Sequence, residues 1–244
     1  MSVAVIFAVV RKNPQMALSA LLFMLGVWFL YVNIPTLSGA LFGAGASLLG
    51  AWVAEMNNRR SFAEDKARHE AEARRYLAPE LNRIIERVLY IHSRAIPNFV
   101  TASAGNQIKP NDLREDFIPY MPVLYPNVPQ FRDLSGDDAT SLITFYDSLH
   151  ALEKFVNECW GREEQLPVNI FNMIMKLATD SLTLASACVE RFELEKHFPP
   201  QYESWGTLSS RIERSKESAT QSLKNHIARF DAKKASTQVS PTNG

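Results

Sequence analysis

The sequence predicts an all-α protein: a two-helix transmembrane hairpin followed by a cytoplasmic antiparallel bundle of about four helices. Three observations carry that expectation. No charged residue occurs from Met16 to Ala54, a run of 39 positions. Downstream, four segments repeat apolar residues at alternating spacings of three and four, the signature of amphipathic helices. No stretch alternates with period two for long enough to make a strand.

Residues 1–14 open the chain with a short apolar segment, Met1–Val10, which is too short to span at about 15 Å. It is expected to pack or to lie at an interface. A cleaved signal peptide fits less well, because the apolar run after Lys12 far exceeds an h-region of about 7–15 residues.

The hairpin is assigned to 15–56. As one helix the uncharged run would measure roughly 58 Å, about twice the hydrocarbon core, so it must turn. Pro35, in Asn33-Ile34-Pro35-Thr36, marks that turn. The halves Met16–Val32 and Leu37–Ala54 are each roughly 26 Å long as helices, enough to cross. Arg11 and Lys12 precede the first span, Arg59 and Arg60 follow the second, and the turn holds no Lys or Arg. The positive-inside rule then puts both ends in the cytoplasm. Trp28, Tyr31 and Trp52 fall where interfacial anchors belong. The lipid bilayer is the first expected partner, and the compact hairpin suggests the inner (plasma) membrane of a bacterium.

Span two carries Gly39, Gly43, Ser47 and Ala51, each four apart. Such small-residue rows let helix backbones approach closely. The row serves either to pack span one of the same chain or to pair with a second copy, giving a homo-oligomer.

Residues 57–76 are rich in Ala, Glu and Arg, all strong helix formers. They are expected to continue span two as a solvated juxtamembrane helix as far as Leu77, before Pro79. The bundle follows over 77–234. Its stripes are Leu77, Leu81, Ile84, Val88, Ile91 and Ala95; then Leu142, Phe145, Leu149, Leu152 and Val156; then Phe171, Met175, Ala178, Leu182, Ala185, Val189 and Phe192; and last Leu208, Ile212, Ala219, Leu223, Ile227 and Phe230. The third helix has a second stripe and is expected to be the most buried. Ser135 and Asp137 precede the second helix and Gly161 follows it; Pro167 opens the third and Pro199-Pro200 closes it. Residues 235–244 read as a disordered tail.

The connection 97–133 is long and holds six of the 13 prolines. Pro119 with Pro122, and Pro126 with Pro129, fit the PxxP ligand pattern. The competing expectation is that the loop's aromatic residues pin it to the bundle. Residues 112–164 hold 11 acidic and four basic residues, and 205–234 hold seven basic and three acidic. The basic last helix is expected to pair with the acidic helix beside it in preference to an external anion.

Most catalytic chemistry lacks its parts. The chain has no Gly-Lys-Ser/Thr phosphate loop, no HExxH and no Gly-x-Ser-x-Gly elbow. Cys159 and Cys188 read as small core residues. Asp147-Ser-Leu-His150, Asp65/His69 and Glu193/His197 place acid and imidazole on one helix face, but each supplies two ligands and makes no metal site alone. His92 and His150 are conceivable phosphoacceptors without a nucleotide-binding domain. No cofactor or metal is expected. Lys+Arg and Asp+Glu number 26 each, which argues against a nucleic-acid partner. The function expected is a membrane-anchored, non-enzymatic interaction, scaffold or signalling module with an unidentified cytoplasmic protein partner. The alternatives are a homo-oligomeric pore or effector gated by the bundle and, last, a metal-dependent enzyme.

Overall fold

The structure is a computed structural model; it describes residues 14–106, 108, 114–160 and 167–238, with side chains as far as 234. Among these, seven α-helices and no strand occur: α1 (Pro14–Tyr31), α2 (Pro35–Ser103), α3 (Arg114–Phe117), α4 (Gly136–Trp160), α5 (Val168–Arg191), α6 (Leu194–His197) and α7 (Leu208–Gln238). The all-helical class therefore stands. The expectations for residues 1–13, Gly161 and 239–244 lie outside the described residues, whereas 235–238, expected in the disordered tail, are the last residues of α7. The chain divides into two compact units, Met1–Arg68 and His69–Gly244.

In the first unit α1 packs antiparallel on the start of α2. Asn33, in the left-handed region at φ 68°, makes the turn, and Pro35 opens α2, where its missing N–H costs nothing. The contact is held by a reciprocal pair of hydrogen bonds. Ser19 Oγ donates to the Gly45 carbonyl and Ser38 Oγ to the Gly26 carbonyl, each at 2.7 Å. Both serines are buried. The rings of Phe23 and Phe42 lie 6.0 Å apart between these bonds. A Cβ on Gly26 would come within 3.1 Å of Phe42, and one on Gly45 within 3.3 Å of Phe23. The glycines set the approach distance, and the serines use it.

Residues 57–69 are exposed throughout. Arg60 pairs with Glu64 at 2.7 Å and Arg68 with Asp65 at 2.9 Å along the helix surface. Such pairs each add a few tenths of a kcal/mol and suit a solvated helix.

The second unit buries one core built from the end of α2 with α4, α5 and α7. α2 does not stop before Pro79; it runs through Pro79 and Pro97 to Ser103. Each proline removes the bond to the carbonyl four residues earlier, at Arg75 and Ser93. All four residues are exposed, so neither proline interrupts the buried face of the helix. α5 is the most buried helix, as its double stripe predicts: Ile170, Phe171, Ile174, Ala178, Leu182, Ala185 and Cys188 all face the core.

The bundle is only partly antiparallel. Glu86, His92 and Phe99 of α2 meet Arg211, Ser215 and His226 of α7, so these two helices run parallel. Ser148 meets Ser181, and Cys188 meets Ser141, so α5 runs against α4. Arg74 and Arg191 meet on Asp138, and His92 meets Thr179, so α5 runs against α2 as well. The long connection before α4 returns the chain to the starting end, so α4 runs parallel to α2, and from there α4, α5 and α7 simply alternate.

Gly45→Ile should drive α1 off α2, because its added atoms meet the Phe23 ring and the Ser19 carbonyl. Hydrogen exchange of α1 amides in detergent should accelerate severalfold, whereas Gly50→Ile, in open space, should leave it unchanged.

Candidate functional site

Three polar devices fix the second unit. The first is Asp138, almost wholly buried in the first turn of α4. Ser135 Oγ accepts its backbone N–H at 3.2 Å and caps the helix. Arg74 Nε donates to its carboxylate at 2.7 Å and Arg191 Nη1 at 3.3 Å. Burial works against the charge, but the bonds from Ser135 and Arg74 and the Arg74 charge outweigh it, so the carboxyl lies below its usual range.

The second device fastens the Pro-rich connection. The Glu80 carboxylate accepts the backbone N–H groups of Val123 and Leu124, at 3.1 Å each. Arg87 Nε donates to the Ile118 carbonyl at 3.0 Å, and Tyr90 OH donates to Asp116 at 2.9 Å. The Arg83 and Arg87 guanidinium groups lie 5.5 and 5.1 Å from the Tyr120 ring centre. Phe117 is buried against Phe171 and Trp160. The aromatic residues thus pin this loop. Pro119 is buried and Pro122 half-buried, which leaves the first PxxP pair without an open face; Pro126 and Pro129 are exposed, and Pro129 opens a 3-10 turn.

The third device is His92, fully buried in α2. Thr179 Oγ1 donates to the Met175 carbonyl at 2.8 Å, so its oxygen accepts from His92 Nε2–H at 2.9 Å. That assigns the tautomer: Nδ1 is bare and accepts the Ser215 hydroxyl at 2.6 Å. The outline matches a serine, a base and an orienting group. The chemistry does not follow, because Thr179 carries no charge to hold an imidazolium. Burial pushes His92 down to about 4. The three side chains lock α2, α5 and α7 together as neutral partners.

Beside Ser215 lies a groove of about 600 Å³ between α2 and α7. Its floor is apolar, from Leu89, Tyr90 and Ile96, and Ser93, Ser215 and Ser218 line it. Arg211 spans it to Glu86 as a bidentate pair, with Nη2 2.6 Å from Oε2. Arg214 also lines it and forms no hydrogen bond or ion pair among the described residues. A second hollow of about 400 Å³ adjoins at Glu86 and Arg211, walled by Pro199, Pro200 and Trp205. Concave, mainly apolar sites with a few polar groups are where ligands and peptides usually bind.

The residues singled out by sequence fall elsewhere. Gly39, Gly43, Ser47 and Ala51 are all exposed, and the glycines among them have nothing within 4 Å of an added Cβ. Packing of span one therefore does not use this row; it uses Ser38 and Gly45, one and two residues away from Gly39 and Gly43 respectively. The signal for the true contact is a repeat, Ser-x-x-Leu-Phe-x-x-Gly, present at Ser19–Gly26 and again at Ser38–Gly45. The expected pairing of the basic last helix with the acidic one is also corrected. Arg211 pairs with Glu86 of α2 and Lys216 with Glu213 of α7 itself, while Asp138 of α4 takes Arg74 and Arg191.

Asp147 and His150 are exposed, and His150 sits 3.9 Å from Glu153. Asp65 pairs with Arg68, and Glu193 with Lys196. No cluster of three or more metal-type side chains occurs among the described residues. Cys188 is buried, which pushes its thiol up to about 12; Cys159 is half-buried.

The His92 lock predicts a pH dependence. Its folded value lies below its usual 6.5, so the unfolded chain takes up the proton first. Stability should be full above pH 6.5 and fall as pH drops toward 4, by up to roughly 3 kcal/mol. Denaturant titrations across that window should show the loss, and His92→Gln should flatten it. A second check concerns the loop. Glu80→Ala strands the Val123 and Leu124 N–H groups, and limited proteolysis should cut between 118 and 128 several times faster than in the parent.

No family model, curated protein or solved structure matches this chain.

Proposed function

We propose that the chain is a membrane-anchored, non-enzymatic interaction module. In this reading α1 and the first turns of α2 cross a bilayer as a hairpin and the second unit works in the cytoplasm of a bacterium. One observation carries the reading. Two helices near the N-terminus are long and apolar enough to cross a membrane, and only 11 % of each apolar window is buried. Leu18, Leu21, Met24, Val27, Trp28, Leu30, Leu37, Leu49 and Val53 all stand exposed. A contiguous apolar surface of this extent needs a cover, and lipid covers it on every side. The groove between α2 and α7 offers the second unit a place to hold a partner, and the His92–Ser215 bond and the Glu86–Arg211 pair serve to fix its walls.

The anchor is tested by washing membranes at alkaline pH and by labelling single cysteines at positions 33 and 57 in intact cells. Retention in the pellet, with position 33 labelled from outside and position 57 protected, is the expected result. Release into the wash would sink the reading.

The alternative, a homo-oligomeric pore or effector, draws support from the outward face of Gly39, Gly43, Ser47 and Ala51. Gly43→Ile fits the monomer without a clash. If copies meet on this row, the substitution should break the oligomer seen by cross-linking in membranes. An unchanged oligomer would remove the row from that role.

A further inference from the structure

Resting on the interaction reading, we propose that the α2–α7 groove holds an acidic peptide segment of a partner protein. The cationic wall comes from α7. Arg214 lines the groove without a hydrogen-bond or ion-pair partner among the described residues. Arg229 likewise has none; it lies within about 20° of Ser218 around the helix but about three turns further along α7, beyond the residues that line the groove. The contact of His226 with Phe99 keeps this stretch of α7 beside α2. Glu86, the acid in the groove lining, is already neutralised by Arg211. Arg214 beside an apolar floor of Leu89, Tyr90 and Ile96, with Arg229 further along the same side of α7, asks for carboxylates interleaved with apolar side chains.

Spacing decides the class of occupant. Arg214 and Arg229 are 15 residues apart, roughly 22 Å along a helix. One small anion cannot reach both, whereas about seven residues of extended chain or four turns of helix can. A lipid surface is broad, and a concave groove offers it little contact. Nucleic acid would meet two unpaired cations and an apolar floor, in a chain of zero net charge.

The test uses the full chain in neutral detergent and three labelled 15-residue synthetic helices. One alternates Glu with Leu at helical spacing, the second carries Gln for Glu, and the third Lys for Glu. Anisotropy should show saturable 1:1 binding of the Glu peptide, at least tenfold tighter than either control. Arg214→Glu with Arg229→Glu should weaken it by tenfold or more, while Arg75→Glu, on the exposed face of α2 beyond the groove, should not. Raising salt should weaken it further. Equal binding of the Gln peptide, or indifference to the double substitution, overturns the proposal. So does tighter binding of vesicles containing 30 % anionic phospholipid, which would reassign the cations to lipid. A partner that still co-purifies with the double variant at fixed stoichiometry would remove the groove and leave the interaction reading standing.

Discussion

An unbroken α2 is the constraint on which the rest of the structure depends. A proline inside a helix costs a hydrogen bond and crowds the preceding turn. Pro79 and Pro97 are tolerated because they and the residues whose carbonyls they free lie on the solvent side. The inward face is left intact, with Leu77, Leu81, Ile84, Ile85, Val88, Ile91 and Ala95 all buried. The same helix then supplies Ser38 and Gly45 to the clasp with α1, Glu80 and Arg87 to the Pro-rich loop, His92 to the lock, and Leu89, Tyr90 and Ile96 to the groove floor.

The second unit relies on three buried polar groups that are matched, although the buried Tyr146 OH and Gln130 Oε1 have no hydrogen-bond partner among the described residues. Asp138 meets two arginines and a capping serine, Glu80 meets two backbone amides, and His92 meets two hydroxyls. Every one of these sites links different segments of the chain. An apolar core tolerates sliding, whereas a buried hydrogen bond holds only in one register, because a misplaced partner leaves a desolvated group unpaired. The matched groups thus specify which helices meet and in which direction, including the parallel pairing of α2 with α7.

Much of the helical layout was legible in the residues. The spacing of Leu142, Phe145, Leu149, Leu152 and Val156 reports a buried face directly, and all five are buried. Pro167 stands immediately before α5, as expected, but Pro199-Pro200 do not close it: α5 ends at Arg191, Glu193 turns the chain at φ 49°, and the prolines follow the separate short α6. What escaped is of two kinds. Helix direction depends on where long connections return, which periodicity does not encode. Interhelical contacts depend on which face turns inward: the row at Gly39 and Gly43 and the clasp at Ser38 and Gly45 are adjacent on one helix, and composition favours neither. The repeated Ser-x-x-Leu-Phe-x-x-Gly resolves the choice only when both copies are read as one antiparallel pair. Leu223, Ile227 and Phe230 continue the α7 stripe but stay exposed, since a stripe records a preference for burial and not the presence of a cover.

We propose that this chain is held in lipid and works by contact with another protein. Native mass spectrometry of the protein, gently extracted from its own membrane, reads both properties at once. The expected result is a lipid-bearing species in which this chain carries a second polypeptide at fixed stoichiometry. A lipid-free monomer with no second polypeptide would contradict it.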